Sequence, residues 1–126
     1  MQLTEHFLLS EFNAHTAPWH VQNSLYLLCR LCLEPVRQEF GHAVRITSGY
    51  RSMSKNQIVG GVGDSQHLDG TAADFVVEDI PGPVVFAFIR DKLKWPGELL
   101  YYAKRGHIHV ALPRYGTSSD IAVLNK

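Results

Sequence analysis

Apolar residues at positions 21, 25, 28, 29, 32, 36 and 40 recur at the steps of a helix, so residues 21–40 predict an amphipathic helix. Gly41 follows as a natural stop, because a left-handed cap is least costly without a Cβ. Pro35 lies inside the run and removes one backbone donor, which predicts a kink or break there. The pattern then changes. Val44-Arg45-Ile46-Thr47-Ser48 is a β-rich run ended by Gly49, and residues 71–77 read as a further strand. Pro83 is a first-turn residue for a helix reaching about Lys94, where Trp95-Pro96-Gly97 ends it. Residues 98–103 and 107–112 flank Lys104-Arg105-Gly106 as a hairpin, and the tail after Pro113 could add one more strand. In the lead-in, Ser10-Glu11-Phe12 predicts a helical turn. Helices packed on a small antiparallel sheet make this an α+β fold.

Between Tyr50 and Asp69 the chain turns polar and glycine-rich, with Gly60, Gly61 and Gly63 close together. That predicts a long loop with a helical turn near residues 54–59, and long loops in compact domains are commonly functional. The length of 126 residues and the apolar share of 45% fit one globular domain over residues 1–126, with no internal repeat or linker. Twelve basic and twelve acidic residues cancel, so there is no broad electrostatic footprint for nucleic acid or a membrane surface. No stretch is long and apolar enough to insert in a bilayer. Met1-Gln2-Leu3-Thr4-Glu5-His6-Phe7 has no signal-peptide pattern, so the expectation is synthesis in the cytoplasm. Cys29 and Cys32 form a C-x-x-C inside the helical run with no second pair, which predicts two buried core thiols rather than a redox pair or zinc knuckle.

The chemistry concentrates in Ser65-Gln66-His67-Leu68-Asp69-Gly70-Thr71-Ala72-Ala73-Asp74 and in His107-Ile108-His109. On a strand, His107 and His109 point to one face and Ile108 to the other. Asp74 can present its carboxylate from a neighbouring strand, and His67 can fold over it from the loop end. Gly70 permits a sharp turn, and Ala72 and Ala73 avoid crowding. Two imidazoles and a carboxylate suit zinc with a fourth position open, and the remaining imidazole stands beside it. Iron is the rival metal for that donor set, but its oxygenases usually sit on a larger double-sheet fold. His6, His15, His20 and His42 have no partners at ligand spacing and read as structural.

These residues also carry a family pattern. Ile46-Thr47-Ser48-Gly49-Tyr50-Arg51-Ser52, Asn56, Val59-Gly60-Gly61, Ser65-x-His67-x-x-Gly70-x-Ala72-x-Asp74 and His107-x-His109 resemble the M15 peptidases over residues 7–112. That group contains zinc D-Ala-D-Ala carboxypeptidases and peptidoglycan endopeptidases, including those of phage lysis systems, and shares its fold with hedgehog domains. The resemblance implies His67, Asp74 and His109 as zinc ligands. It implies Arg51 as the group that stabilises the oxyanion, for which a fixed guanidinium is suited. It places Ser65 beside the substrate cleft, which Tyr50, Gln57, Tyr101 and Tyr102 could help line. The chain departs from the pattern at the general base. Where many members carry Glu or Asp three residues before the last ligand, this chain has Gly106, and at the end of the preceding strand it has Tyr102. His107 then becomes the expected proton acceptor, with Glu98, Asp64 and Asp69 in reserve.

The function implied is zinc-dependent hydrolysis of amide bonds next to D-amino acids in peptidoglycan stem peptides, by a protein expected to be a monomer. The cut would be an exo cleavage at D-Ala-D-Ala or an endo cleavage such as L-Ala-D-Glu. A cytoplasmically made wall hydrolase fits a phage or prophage lysis gene, or a bacterial enzyme with another export route. The alternative is a zinc-stabilised, non-catalytic binding module of the hedgehog kind.

Overall fold

In the computed structural model, which describes residues 2–50, 66–113 and 120–126, the long apolar run folds as α1 (Trp19–Leu28), a π-type turn (Cys29–Leu33) and α2 (Glu34–Phe40) in unbroken succession. The interruption expected at Pro35 takes the form of that wider turn just ahead of it. The Glu34 N–H reaches back five residues to the Cys29 carbonyl, and Pro35 falls in the first turn of α2. The extra residue relieves the clash a proline ring makes with the turn before it. Gly41 closes α2 in the left-handed conformation, as its position predicted. Val21, Leu25, Leu28, Cys29, Cys32, Leu33 and Val36 are the buried stripe. Burial pushes both thiols well above the ordinary cysteine range and they are not bonded to each other, so they pack as small hydrophobes.

Ahead of α1, β1 (Gln2–Thr4) and β2 (Phe7–Leu8) form a small antiparallel pair, followed by a 3-10 turn (Leu9–Phe12). The turn was legible in the sequence and the pair was not, because strands this short carry no alternation. Phe7, Leu9 and Phe12 are buried.

The main sheet is built from β3 (Val44–Ser48), β4 (Ala72–Val77), β5 (Leu99–Tyr102), β6 (His107–Ala111) and β7 (Ile121–Leu124), in the order β3-β4-β6-β5-β7. All neighbours are antiparallel except β7, which joins β5 in parallel. The helix α3 (Gly82–Asp91) begins at Gly82-Pro83 and ends sooner than its pattern predicted, with Lys94 in a left-handed conformation. The fold is thus the α+β class the elements implied.

Alternation gives the sheet two unlike faces. Ala73, Phe75, Val77, Leu99, Ile108 and Val110 join the helices in one hydrophobic core. Ala72, Asp74, His107, His109 and Ala111, with Leu100 and Tyr102, occupy the alternate positions on the other face.

Candidate metal centre

Strand register brings the first two candidate ligands together. Asp74 on β4 lies directly opposite His109 on β6. Their side chains meet with His109 Nδ1 2.7 Å from Asp74 Oδ1. His67 comes from a 3-10 turn (Gln66–Leu68) and is buried. Its Nδ1 is 2.8 Å from the Gly49 carbonyl oxygen, so the Nδ1–H donates there and Nε2 is left facing the site. His67 Nε2 stands 3.5 Å from the same Asp74 Oδ1. One donor atom from each of His67, Asp74 and His109 lies within 4.8 Å of the others, so the three could hold a metal ion. Two imidazoles and a carboxylate, mostly shielded from water and converging on one point, fit a zinc-type donor set.

Two glycines let the backbone close this tightly. A Cβ on Gly49 would lie 2.6 Å from the Phe12 Cα, so the carbonyl that anchors His67 sits where only glycine fits. Gly70 has φ +77, and a Cβ there would lie 2.7 Å from the Val21 carbonyl oxygen of α1. Both conditions call for glycine. Between them the turn is tied down by Gln66, whose side-chain amide donates to the Thr71 hydroxyl and the Leu112 carbonyl.

The charges respond to this geometry. Burial alone would raise the Asp74 pKa, but the hydrogen bonds and charges of His109 and His67 outweigh it and hold the carboxyl well below its usual range. Burial alone would lower His109, but its hydrogen bonds to Asp74 and Glu98 raise it to about 9. Glu98 Oε1 lies 2.9 Å from His109 Nε2, on the ring edge away from Asp74. His107 is lowered, chiefly by burial, and is neutral at pH 7. Its Nε2 is 3.9 Å from Asp74 Oδ2, and its ring lies 4.7 Å from that of Tyr102.

The other expected site residues divide three ways. Arg51, Gln57, Asp64 and Ser65 lie outside the described residues. Tyr50 is partly buried, with its N–H on the Phe12 carbonyl and its side chain against the core, directly after the glycine that anchors His67. Tyr102 lies on the site face, but Tyr101 does not line it. Tyr101 points into the helix-facing layer, against Phe86 and the backbone of Gly82, because it alternates with Tyr102. Asp69, a reserve for proton transfer, has its carboxylate occupied by the backbone and hydroxyl of Thr71, closing a turn. Glu98 was a second reserve, and sequence reasoning missed its contact with His109. The signal was available in principle, since Glu98 shares strand parity with Leu100 and Tyr102. Of the histidines read as structural, His6 pairs with Glu34 and His42 with Asp79.

The fold is α+β, and its sheet carries a His-Asp-His cluster that could hold a metal ion. The family can be named as well: the Peptidase M15 sequence profile matches residues 5–111, and the chain belongs to that family. It is therefore a hydrolase of the peptidase type. A search of curated proteins finds no match.

Proposed function

We propose that this protein is a zinc-dependent peptidase that hydrolyses amide bonds next to D-amino acids in peptidoglycan stem peptides. The observation that carries the reading is the convergence of His67, Asp74 and His109 in a chain of the Peptidase M15 family. In this reading those three side chains hold the zinc. When bound, zinc supplies Lewis acidity, which acidifies water and polarises an amide carbonyl.

The chain's own residues account for the rest. The Gly49 carbonyl keeps a proton on His67 Nδ1 and leaves Nε2 free to ligate. Asp74 stays ionised far below neutral pH, so its oxygens remain available as ligands. His107 is neutral and lies on the face of His109, beside Asp74 Oδ2, where it can accept a proton and pass it to a leaving amine. The Tyr102 ring packs against that of His107 at a tilt, with centroids 4.7 Å apart. By family resemblance, Arg51 serves the oxyanion and Ser65 the substrate, with Gln57 as a further cleft residue; Tyr50 instead packs against the core. The site of action would be the cell wall, at either a D-Ala-D-Ala or an L-Ala-D-Glu type bond.

The test is mass spectrometry of defined stem peptides incubated with zinc-loaded protein. Released D-Ala, or paired internal fragments, is expected from the wild type and not from His67→Ala. Equal activity in His67→Ala or in chelator-stripped protein would overturn the proposal. Gly106, standing where many members carry a carboxylate, favours a second reading as a zinc-stabilised binding module. Sedimentation with intact sacculi, without any cleavage across a range of pH, would select that reading.

A further inference from the structure

His109 is held at both ring nitrogens. Nδ1 faces Asp74 Oδ1 at 2.7 Å, and Nε2 faces Glu98 Oε1 at 2.9 Å. Only one of these nitrogens can lie among the donor atoms of Asp74 and His67, and it is Nδ1. A histidine that ligates through Nδ1 must carry its proton on Nε2, and a neutral imidazole has no built-in preference strong enough to guarantee that.

We propose that Glu98 is a positioning residue for His109: its carboxylate accepts the Nε2–H, fixes the ring plane and presents the Nδ1 lone pair to the metal position. This inference rests on the metal reading above. Its structural basis is the β5–β6 register. Leu100 is opposite His109 and Tyr102 opposite His107, while the Ala111 N–H bonds the Glu98 carbonyl. Glu98 therefore approaches His109 on a diagonal across the strands. Diagonal neighbours are about 7–8 Å apart at Cα, within reach of a long side chain. Its side chain is 23% exposed and that of His109 11%, so water competes weakly for the bond. The arrangement matches the way the Gly49 carbonyl holds His67 at Nδ1. Each histidine of the site thus donates one ring N–H to a protein oxygen outside the ligand set, and each keeps the other nitrogen for the metal. Partners of this kind typically change metal affinity by about 10–100-fold when removed.

The experiment measures zinc affinity by competition with a chromophoric chelator for the wild type, Glu98→Ala, Glu98→Asp and Glu98→Gln. Folding of each is checked by circular dichroism. Affinity should fall by about 10–100-fold in Glu98→Ala. It should fall similarly in Glu98→Asp, whose carboxylate is one methylene short. Glu98→Gln keeps an acceptor oxygen and should recover most of the loss. A second readout is the proton spectrum of the zinc-loaded protein. A slowly exchanging ring N–H from His109 is expected in the wild type and in Glu98→Gln, and not in Glu98→Ala. A merely structural role for Glu98 would leave that signal and the Asp/Gln contrast unmoved. If Glu98→Ala fails to fold, the Asp and Gln variants decide the matter by themselves. Equal zinc affinity across the folded variants, with zinc bound by the wild type, overturns the role of Glu98 alone. Failure of the wild type to bind zinc overturns the metal reading and this inference with it.

Discussion

Asp74 Oδ1 sits between His109 Nδ1 at 2.7 Å and His67 Nε2 at 3.5 Å, and this pairing sets the chemistry of its neighbours. His107 is held differently. Its Nε2 is 3.9 Å from Asp74 Oδ2, and burial lowers its pKa, as the proposed role in proton transfer requires. Its replacement should separate chemistry from metal binding. His107→Ala is expected to lower kcat by about 10²–10⁴-fold, the usual worth of a general acid–base group. Its zinc stoichiometry should stay at the wild-type value. Steady-state kinetics with parallel metal analysis checks this, and unchanged kcat would remove His107 from the mechanism. Gly70 offers a second residue-level prediction. Forcing a side-chain-bearing residue into its left-handed conformation costs about 1–3 kcal/mol. The clash with the Val21 carbonyl adds to that cost. Gly70→Ala should therefore unfold at lower denaturant and bind zinc less tightly, because the turn that carries His67 must shift.

At the scale of elements, the alternation of β6 does most to build the site. His107 and His109 face the candidate metal site while Ile108 and Val110 are buried in the core on the opposite face, so the same strand anchors itself and presents the imidazoles. Ile108→Ala should destabilise the protein by roughly 2–5 kcal/mol, as large-to-small core changes do. Zinc affinity should fall with it although no ligand is altered, and calorimetry with a zinc titration would show whether the two move together. This much was legible from H-x-H in a β-rich run. The role of Glu98 was not, because it depends on the β5–β6 register. Four residues separate Tyr102 from His107, and a register one residue away would turn Glu98 to the other face. The same dependence explains Tyr101, whose expected place on the site face fails by one step of alternation. The pairing of β7 with β5 is likewise a tertiary outcome, because a parallel neighbour carries no local signal.

For the whole molecule, the His109–Asp74 pair couples stability to pH. The His109 pKa rises from 6.5 to about 9 on folding, so its contribution is complete below the lower value and is lost as pH rises through the higher one. The Asp74 pKa falls below its ordinary 3.8, so its contribution is present above that value and is lost as pH drops through the folded pKa. Both describe one coupled pair and count once. Chelator-treated protein should thus be most stable from about pH 4 to 6.5. Its Tm should decline toward pH 9. Zinc should reverse the alkaline half of that trend, because the metal takes the place of the His109 proton. At free zinc about 100 times Kd the added stability is about 2.7 kcal/mol. Thermal melts across pH, with and without zinc, check both parts; a flat profile in chelator would count against the pair.

The sequence by itself determined most of the elements and the candidate ligand set. Helical spacing in residues 21–40, the β-rich runs, Gly41 and the hairpin before His107 are local signals, written in period and turn chemistry. His67, Asp74 and His109 were recognisable from residue type and motif, and the structure brings them to one point. The tertiary structure decided which nitrogen of each histidine faces inward, which tyrosine reaches the site, and that Glu98 stands behind His109. Those outcomes follow from strand register and from backbone approaches at Gly49 and Gly70, which join residues far apart in the chain. Local periodicity fixes the face a side chain occupies only once the register of its strand is set.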